Sequence, residues 1–473
     1  MKISMKIYNT MSRIKEELKP VNGDTVHIYA CGPTVYNLFH IGNARPLCVF
    51  DVLRRYLKYR GYKVRYVQNF TDVDDKIIKK AADLGTSALE VSENAIKDYF
   101  IDSKGLNISE ADLHPKVTEN MNIIIGIIKT LIDKGFAYEA NGDVYFEAER
   151  FAEYGKLSKM PLEELRAGAS ERVSESDLKR DPMDFALWKA AKEGEVFWES
   201  PFGNGRPGWH IECSAMVREY LGDTIDIHGG GTDLIFPHHE NEIAQSEAAT
   251  GKPLASIWMH NEMVNVVTNG SGAQKMAKSA GNFFTVRNAA GIYGYEPIRF
   301  MLIAAHYRSK LTYSEEVIKS AQASLERLYN CKNAIERALG TKTGENVNES
   351  VAALINTHKN RFTEAMDDDL NTADALAVVF ELTREINKTL SGEATTKADI
   401  VALHTIFNEF TNILGLLYTK ADEIPAEVLE LAEKRTEARK EKNFALADQI
   451  RERIANLGYT IEESRQGIVI KKT

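Results

Sequence analysis

Four side chains of types that bind transition metals stand at separated points of this sequence. His238 and Glu242 are four residues apart, so on a helix they share one face, as two ligands of a single ion must. The same period turns His239 away from Glu242 and so favours His238. Together with Cys31 and Cys213 they make a plausible zinc set of two thiolates, an imidazole and a carboxylate. The separation of the two cysteines fits no local zinc-finger pattern, so the residues alone leave this site open.

A second group of candidates lies in a loop that opens a predicted helix. It contains Thr34 and the run His40-Ile41-Gly42-Asn43. Free backbone N–H groups and the helix dipole favour an anion there, and Gly42 lets a nucleotide approach the backbone closely. His40 and Asn43 stand three residues apart, and both can donate hydrogen bonds to phosphate oxygens. A capped helix with a surface histidine is the plain alternative.

Two lysines form the third candidate. They belong to the run Lys275-Met276-Ala277-Lys278-Ser279, inside a Gly-, Ser- and Asn-rich loop at residues 268–282. Such a loop could close on a triphosphate and neutralise the charge that develops on it. A solvated surface loop accounts for the same composition.

An α/β unit is predicted to position these residues. A strand at 26–30, a helical repeat over 49–57 and a second strand at 64–70 follow one another. A strand–helix–strand unit of this length argues for a parallel sheet, whose ligand lies at the carboxyl ends of the strands. A further strand is expected at 224–228, followed by a helix that opens near His238.

Composition shifts divide the chain into three expected parts. The first part would be an α/β domain with an insertion, the second a bundle of about four helices that opens with a capping box, and the third two short helices and a strand. The expected boundaries are 1–311 for the α/β domain, about 120–205 for its insertion, 312–420 for the bundle, Thr312–Glu315 for the capping box and 421–473 for the last part.

Composition excludes several classes of protein. The hydrophobic fraction of 44% and the charged fraction of 27% are those of a globular chain, neither disordered nor collagen-like. No apolar run approaches the roughly 20 residues of a membrane helix, and we expect no secretory leader. Four cysteines cannot form a disulfide framework, which indicates a reducing cytoplasm. Cys48 and Cys331 lie in helical patterns and are expected to pack in the core.

The net charge of −9 argues against a polyanionic partner only when it is averaged over the whole chain. Residues 431–473 carry ten Lys and Arg against seven Asp and Glu, a net charge of +3. Local patches rather than the total attract a polyanion. A solvated helix face of mixed charge is the alternative.

Taken in order, these motifs closely resemble the cysteinyl-tRNA synthetases, which are class I synthetases with a Rossmann-type parallel sheet. The similarity extends over nearly the whole chain. It is carried by the segments CGPTVYNLFHIGN, NFTDVDDKI, DFALWK, RPGWHIECSAM, DIHGGGTDLIFPHHENEIAQSEA, KMAKSAGN, HYRS and DDDLNTADAL.

The resemblance implies a reaction and its participants. An enzyme of this family joins L-cysteine to tRNA(Cys) through a cysteinyl-adenylate, with ATP and Mg²⁺ as substrate and one Zn²⁺ per chain that recognises the cysteine thiolate. It also implies a cytoplasmic monomer without membrane contact, a bundle that binds the anticodon stem and a last segment that binds the anticodon. The implied zinc ligands are Cys31, Cys213, His238 and Glu242; the implied ATP-binding and catalytic residues are Thr34, His40, Gly42, Asn43, Lys275 and Lys278; the implied amino-acid and adenylate pocket is Thr71, Trp209 and Asp233.

Two positions depart from the family signatures. Asn43 stands where HIGH has its second histidine, and Ala277 stands where KMSKS has its middle serine. Asn43 can donate a hydrogen bond but cannot become cationic, whereas the change at Ala277 removes only a hydroxyl and keeps both lysines. We expect activity to survive both changes.

Three other functions share parts of the pattern. The cysteine ligase of mycothiol synthesis uses the same adenylate chemistry but lacks the C-terminal extension that follows Thr312 here. A small-molecule nucleotidyltransferase would account for the His-x-Gly loop alone. A non-enzymatic tRNA- or zinc-binding protein would not need Lys275 and Lys278.

Overall fold

The computed structural model describes residues 5–160, 164, 178–266, 274–275, 284–419, 426–464 and 467–472. The chain forms two compact units, residues 1–417 and 418–473. The predicted division at residue 311 stays a prediction.

A four-stranded parallel sheet lies at the centre of the first unit. Its order is β10-β9-β3-β4, and every neighbouring pair is parallel. All seven residues of β9 are buried, as expected for a strand covered on both faces. The strands of this unit are β1 (Lys6–Asn9), β2 (Ile14–Glu17), β3 (Thr25–Ala30), β4 (Lys63–Val67), β5 (Ala137–Ala140), β6 (Asp143–Phe146), β7 (Phe185–Ala190), β8 (Gly205–Pro207), β9 (Ile225–Gly231), β10 (Ala255–Asn261), β11 (Val264–Val266), β12 (Gln274–Lys275) and β13 (Leu311–Tyr313).

Helices follow the strands, which confirms the predicted α/β class. The helix after β3 begins directly after His40, whose side chain caps it. The helices of this unit are α1 (Ile41–Tyr59), α2 (Asp75–Leu84), α3 (Ala88–Gly105), α4 (Met121–Asp133), α5 (Trp209–Leu221), α6 (Glu240–Thr250), α7 (Val286–Tyr293), α8 (Tyr295–Ala304), α9 (Glu315–Leu339), α10 (Glu349–Asp367), α11 (Thr372–Leu390) and α12 (Lys397–Leu414).

The second strand of the predicted α/β unit is shorter than its apolar run. It ends at Val67, because Gln68 and Phe70 pair with a different segment: their N–H groups donate to the carbonyls of Leu113 and Pro115. The residues after β4 therefore leave the sheet at the edge where the carboxyl ends of its strands lie.

Residues 137–207 contain a separate antiparallel sheet of order β5-β6-β7-β8. Its fully buried residues, Trp188 and Phe146 among them, share one hydrophobic core with Tyr29 and Trp258 of the parallel sheet. Most of the Glu-rich stretch at 162–180 lies outside the described residues.

Four helices, α9 to α12, form the expected bundle, and the helices pack on one another. The predicted capping box at its start is wrong. Thr312 lies in β13, paired with Asn265, and the cap is Ser314, whose Oγ accepts the N–H of Val317 at 3.3 Å. The T-x-x-E pattern is therefore coincidental, since the pairing with β11 keeps Thr312 extended. Cys48 and Cys331 are buried, as predicted.

The second unit contains the expected two helices and strand, with one strand more. Helices α13 (Ala426–Lys440) and α14 (Phe444–Asn456) pack together, and the hairpin of β14 (Tyr459–Ser464) and β15 (Gly467–Lys472) follows. Within the described residues of both units, no helix combines the length and apolar character needed to cross a bilayer.

Candidate active site and metal cluster

The carboxyl ends of the parallel strands open into a cavity of about 630 Å³. Its wall includes residues that follow β3, β9 and β10 and the first turn of α1. Most of the predicted site residues line it: Cys31, Thr34, His40, Gly42, Asn43, Trp209 and Asp233. The sheet therefore collects residues that are up to 202 positions apart along the chain.

The start of α1 forms one wall of this cavity. The His40 Nδ1 accepts the N–H of Asn43 at 3.3 Å, so one of the helix's end donors is already satisfied. A Cβ at Gly42 would lie 2.8 Å from the His40 ring, which shows how closely the ring covers this turn. The geometry brings His40 and Asn43 together at a helix N-terminus, where an anion is favoured.

The lysine loop is only partly described. The backbone of Lys275 belongs to β12 and pairs with Asn265 of β11. Lys278 lies outside the described residues. Lys76 at the start of α2, which sequence reasoning did not single out, lines the same cavity.

The four candidate metal ligands meet in one cluster. The ligand atoms of Cys31, Cys213, His238 and Glu242 all lie within 4.8 Å of one another. The Cys31 Sγ is 3.2 Å from Glu242 Oε1, and the His238 Nε2 is 3.0 Å from the same oxygen. Cys31 follows β3, Cys213 lies in α5, and His238 and Glu242 flank the start of α6. Three separate elements thus converge on a single point.

The prediction that helical periodicity keeps His239 out of the group of potential metal ligands is wrong. His239 Nε2 lies 3.4 Å from Cys31 Sγ, and a second group of potential ligands contains Cys31, His228, His239 and Glu242. The reason is that residues three apart on a helix share a face just as residues four apart do, so His239 Nε2 lies 3.9 Å from Glu242 Oε1, beside His238. His228 carried one signal in the sequence, its place at the end of the strand 224–228.

Ionisation within the cluster favours a cation. Hydrogen bonding with Cys31 lowers the pKa of the Cys213 thiol to about 6, whereas burial raises the pKa of Cys31 well above its usual value. Burial opposes ionisation of Glu242, but His228 and His238 hold its pKa well below the usual range. Burial likewise opposes charge on His238, yet Glu242 raises its pKa to about 10. A thiolate and a carboxylate are thus buried together.

The donor set fits a metal ion. Glu242 Oε2 is buried and accepts no hydrogen bond from the described residues, although His228 Nε2 lies 3.2 Å away. Thiolate, imidazole and carboxylate are the ligands that zinc takes in proteins. A cation bound to these atoms would displace the proton from His238.

The three remaining predicted pocket residues lie in different surroundings. Trp209 is 40% exposed, and its ring lies over that of His238 with the centroids 4.3 Å apart. Asp233 stands in the turn after β9 and lines the cavity. Thr71 does not line it. It is buried behind Thr34, and its hydroxyl donates to Glu212 Oε2 at 2.8 Å.

Glu212 is a neighbour that sequence reasoning missed. Burial and the charge of Cys213 raise the pKa of its carboxyl well above the usual value. Its only signal was its place beside Cys213 in the sequence. Gly32 fits the same crowded corner, since a Cβ there would lie 1.6 Å from the Asn69 carbonyl oxygen.

A second cavity of about 380 Å³ adjoins the first and shares Thr34, Lys76 and Trp209 with it. Its far wall comes from the inserted antiparallel sheet, with Phe185 and Lys189 of β7. The two cavities meet at Trp209, between the wall formed by the start of α1 and the wall formed by the inserted sheet.

Comparison with known proteins agrees with this architecture. The family model for the class I (C) tRNA synthetase catalytic domain matches residues 17–323, and the DALR domain model matches residues 361–418. Cysteine–tRNA ligases of Clostridioides difficile and Caldicellulosiruptor saccharolyticus are each 50% identical over 472 residues, which is 99% of this chain and 100% of theirs.

Solved structures support the fold alone. Mycobacterium tuberculosis methionyl-tRNA synthetase with methionyl-adenylate superposes with a TM-score of 0.59 at 16% identity, covering 83% of this chain and 89% of that one. The Agrobacterium radiobacter LeuRS–tRNA–LeuAMS complex gives 0.60 at 12% identity, covering 84% and 85%. The full-length identity and the two matched domains establish that the chain belongs to the cysteine–tRNA ligase family of class I tRNA synthetases.

Proposed function

We propose that this chain attaches L-cysteine to tRNA(Cys) in two steps. In the first, the cysteine carboxylate attacks the α-phosphorus of ATP and gives cysteinyl-adenylate and pyrophosphate. In the second, a terminal ribose hydroxyl of the tRNA takes the cysteinyl group and releases AMP. The observation that carries this proposal is the thiol-containing cluster at one end of a cavity whose other wall is the start of α1.

The chain's own groups would act by positioning and charge rather than as nucleophiles. His40, Gly42 and Asn43 would hold the triphosphate, whose charge Mg²⁺ would help to neutralise. Lys275 and Lys278 would neutralise the charge that develops as pyrophosphate leaves. Thr34 at the mouth and the Trp209 ring would keep the amino acid between the cluster and the nucleotide.

Cys31, Cys213, His238 and Glu242 would hold one Zn²⁺ per chain. The bound ion would supply a soft Lewis acid that prefers a thiolate sulfur to a neutral hydroxyl. Serine differs from cysteine by one atom, and pocket shape gives only about 1–3 kcal/mol of discrimination for so small a change. Cys213, His238 and Glu242 are buried and would keep water away from this contact, while the partly exposed Cys31 faces the cavity.

The tRNA end would enter through the second cavity. Its aromatic and lysine side chains, Phe185, Trp209, Lys76 and Lys189, suit a nucleotide base and its phosphates, and the cavity meets the first one where the adenylate carbonyl would lie. Residues 312–420 would bind the anticodon stem and residues 421–473 the anticodon. We further propose that the enzyme works as a monomer in the cytoplasm.

The mycothiol-type ligase is not favoured. The DALR domain model matches residues 361–418, which belong to the C-terminal extension. The similarity to the cysteine–tRNA ligases covers 99% of this chain and therefore includes that extension. The deciding experiment measures cysteine-dependent ATP–pyrophosphate exchange and then the transfer of labelled cysteine to tRNA(Cys) or to glucosaminyl-inositol. Transfer to the sugar and not to the tRNA would reverse the assignment.

A further inference from the structure

Three consecutive aspartates connect the helical bundle to the rest of the first unit. Asp367 ends α10, Asp368 and Asp369 follow it before α11, and each of the three contacts a different element. Asp367 binds α1, Asp368 binds Lys15 of β2 at 2.7 Å, and Asp369 binds the segment that follows α8. The established reaction gives none of these carboxylates a role.

Asp369 is the most constrained of the three. Its carboxylate is fully buried and accepts the N–H of Tyr8 at 2.8 Å, the hydroxyl of Tyr307 at 2.5 Å and the Nε of Arg308 at 2.8 Å. Its φ of 71° and the φ of 50° at Leu370 place two successive non-glycine residues in the left-handed region. Such strain persists only where the surrounding contacts fix it, and it is concentrated at functional positions.

The segment held by Asp369 is bonded to the end of β10. The Tyr307 carbonyl accepts the N–H of Glu262 at 2.8 Å. Arg45, fully buried in α1, ties the same two segments together: its guanidinium donates to the carbonyl of Glu262 at 2.7 Å and to that of His306 at 3.1 Å. The backbone at Glu262 is therefore fixed from behind by a network that ends at Asp369.

The residues on either side of Glu262 form a wall of the larger cavity. Asn261, Met263 and Val264 line it directly. Val264 also begins β11, whose next residue, Asn265, pairs with Lys275. The position of this wall thus determines where the backbone of Lys275 lies.

We propose that Asp369 is a positioning residue for ATP: through Tyr307 and Arg308 it holds the wall Asn261–Val264 and the strand that bears Lys275. The inference rests on the proposed function, because it assigns the wall to ATP. The ligand atoms of the metal cluster come from residues after β3, in α5 and around the start of α6, and none belongs to this wall. We expect a shift of the wall to affect cysteine binding much less than ATP binding. Loss of the Asp369 charge should therefore affect ATP much more than cysteine.

The chain supplies a closely matched control. Asp367 also accepts a tyrosine hydroxyl, that of Tyr56 at 2.7 Å, and also pairs with an arginine, Arg60. Both partners lie near the end of α1, about four helical turns beyond its start at the cavity. Asp367→Asn removes the same kinds of contact as Asp369→Asn but leaves the wall in place.

The test uses steady-state ATP–pyrophosphate exchange with the full-length chain. For Asp369→Asn we expect kcat/KM for ATP to fall about tenfold while KM for cysteine stays within twofold of the wild-type value. For Asp367→Asn we expect kcat/KM for ATP within twofold of wild type, although both variants should lose stability in thermal unfolding. Equal effects of the two variants on ATP, or an unchanged kcat/KM for ATP in Asp369→Asn, would overturn the proposal.

A milder change covers the case in which Asp369→Asn does not fold. Tyr307→Phe removes one hydroxyl that reaches Asp369 and keeps the ring; it should lower kcat/KM for ATP about threefold without changing KM for cysteine. If Tyr307→Phe matches wild type, the proposal is wrong. Failure of the wild-type chain to exchange pyrophosphate in a cysteine-dependent manner would instead reject the proposed function.

Discussion

Replacement of Cys213 by serine removes one donor of the metal cluster and changes little else. Cys213 is 2% exposed in α5, and its Sγ lies within 4.8 Å of the ligand atoms of Cys31, His238 and Glu242. A serine hydroxyl is the same shape but stays protonated, so three effective donors remain. Loss of a residue that only hydrogen-bonds to a metal ligand costs about 10–100-fold in metal affinity, so we expect the loss of a ligand itself to cost at least about 100-fold.

The same change should reduce selectivity to what pocket shape provides. Shape discrimination of about 1–3 kcal/mol corresponds to about a 10–200-fold preference for cysteine over serine. The assay compares kcat/KM for cysteine and for serine in ATP–pyrophosphate exchange, together with the metal content of the dialysed protein. Cys331→Ser is the control, because it changes a buried thiol in the bundle, away from the cluster. A Cys213→Ser protein that keeps both its metal and the wild-type preference would refute the reasoning.

Three further changes test other parts of the structure. Burial lowers the pKa of His114 to about 4. The folded state favours the neutral imidazole, so the stability that His114 contributes is complete above the unfolded pKa of about 6.5 and is lost as the pH falls towards 4. Thermal scans should show up to about 3 kcal/mol of lost stability there, and the loss should be smaller in His114→Gln. In Gly415→Ala a Cβ would lie 2.1 Å from the guanidinium of Arg299 at a φ of 68°, so urea unfolding should give a free energy lower by at least about 1 kcal/mol, and an unchanged value would contradict the close contact. Thr71→Val leaves the Glu212 carboxyl without its donor, and the same measurement should give about 1–3 kcal/mol of destabilisation, whereas a neutral result would mean that this hydrogen bond contributes nothing.

The sheet and the order of the helices could be predicted because periodicity and turn residues are local signals. The strand 26–30 was placed to within one residue of β3, and the helix expected to open near His238 begins at Glu240. The bundle was also predictable, since its helices carry apolar residues at helical spacing between polar breaks.

Long-range geometry was not predictable from spacing. The convergence of Cys31 and Cys213 depends on two elements that meet only in three dimensions, so the residue types suggested a zinc set but left it open, and the family resemblance implied it. His239 was excluded because only the four-residue spacing was considered, whereas residues three apart on a helix also share a face. Glu212 had only its place beside Cys213 as a signal and Asp369 only its place in the segment DDDLNTADAL, because their roles come from burial and from partners far along the chain.

The central claim is that this chain charges tRNA(Cys) with cysteine. The most direct measurement incubates the full-length protein with ATP, Mg²⁺, labelled cysteine and either tRNA(Cys) or a tRNA of another specificity, and counts label recovered on the tRNA. We expect label on tRNA(Cys) only, and its loss on treatment with mild base, which hydrolyses the ester. Cysteine-dependent pyrophosphate exchange without label on any tRNA would contradict the account.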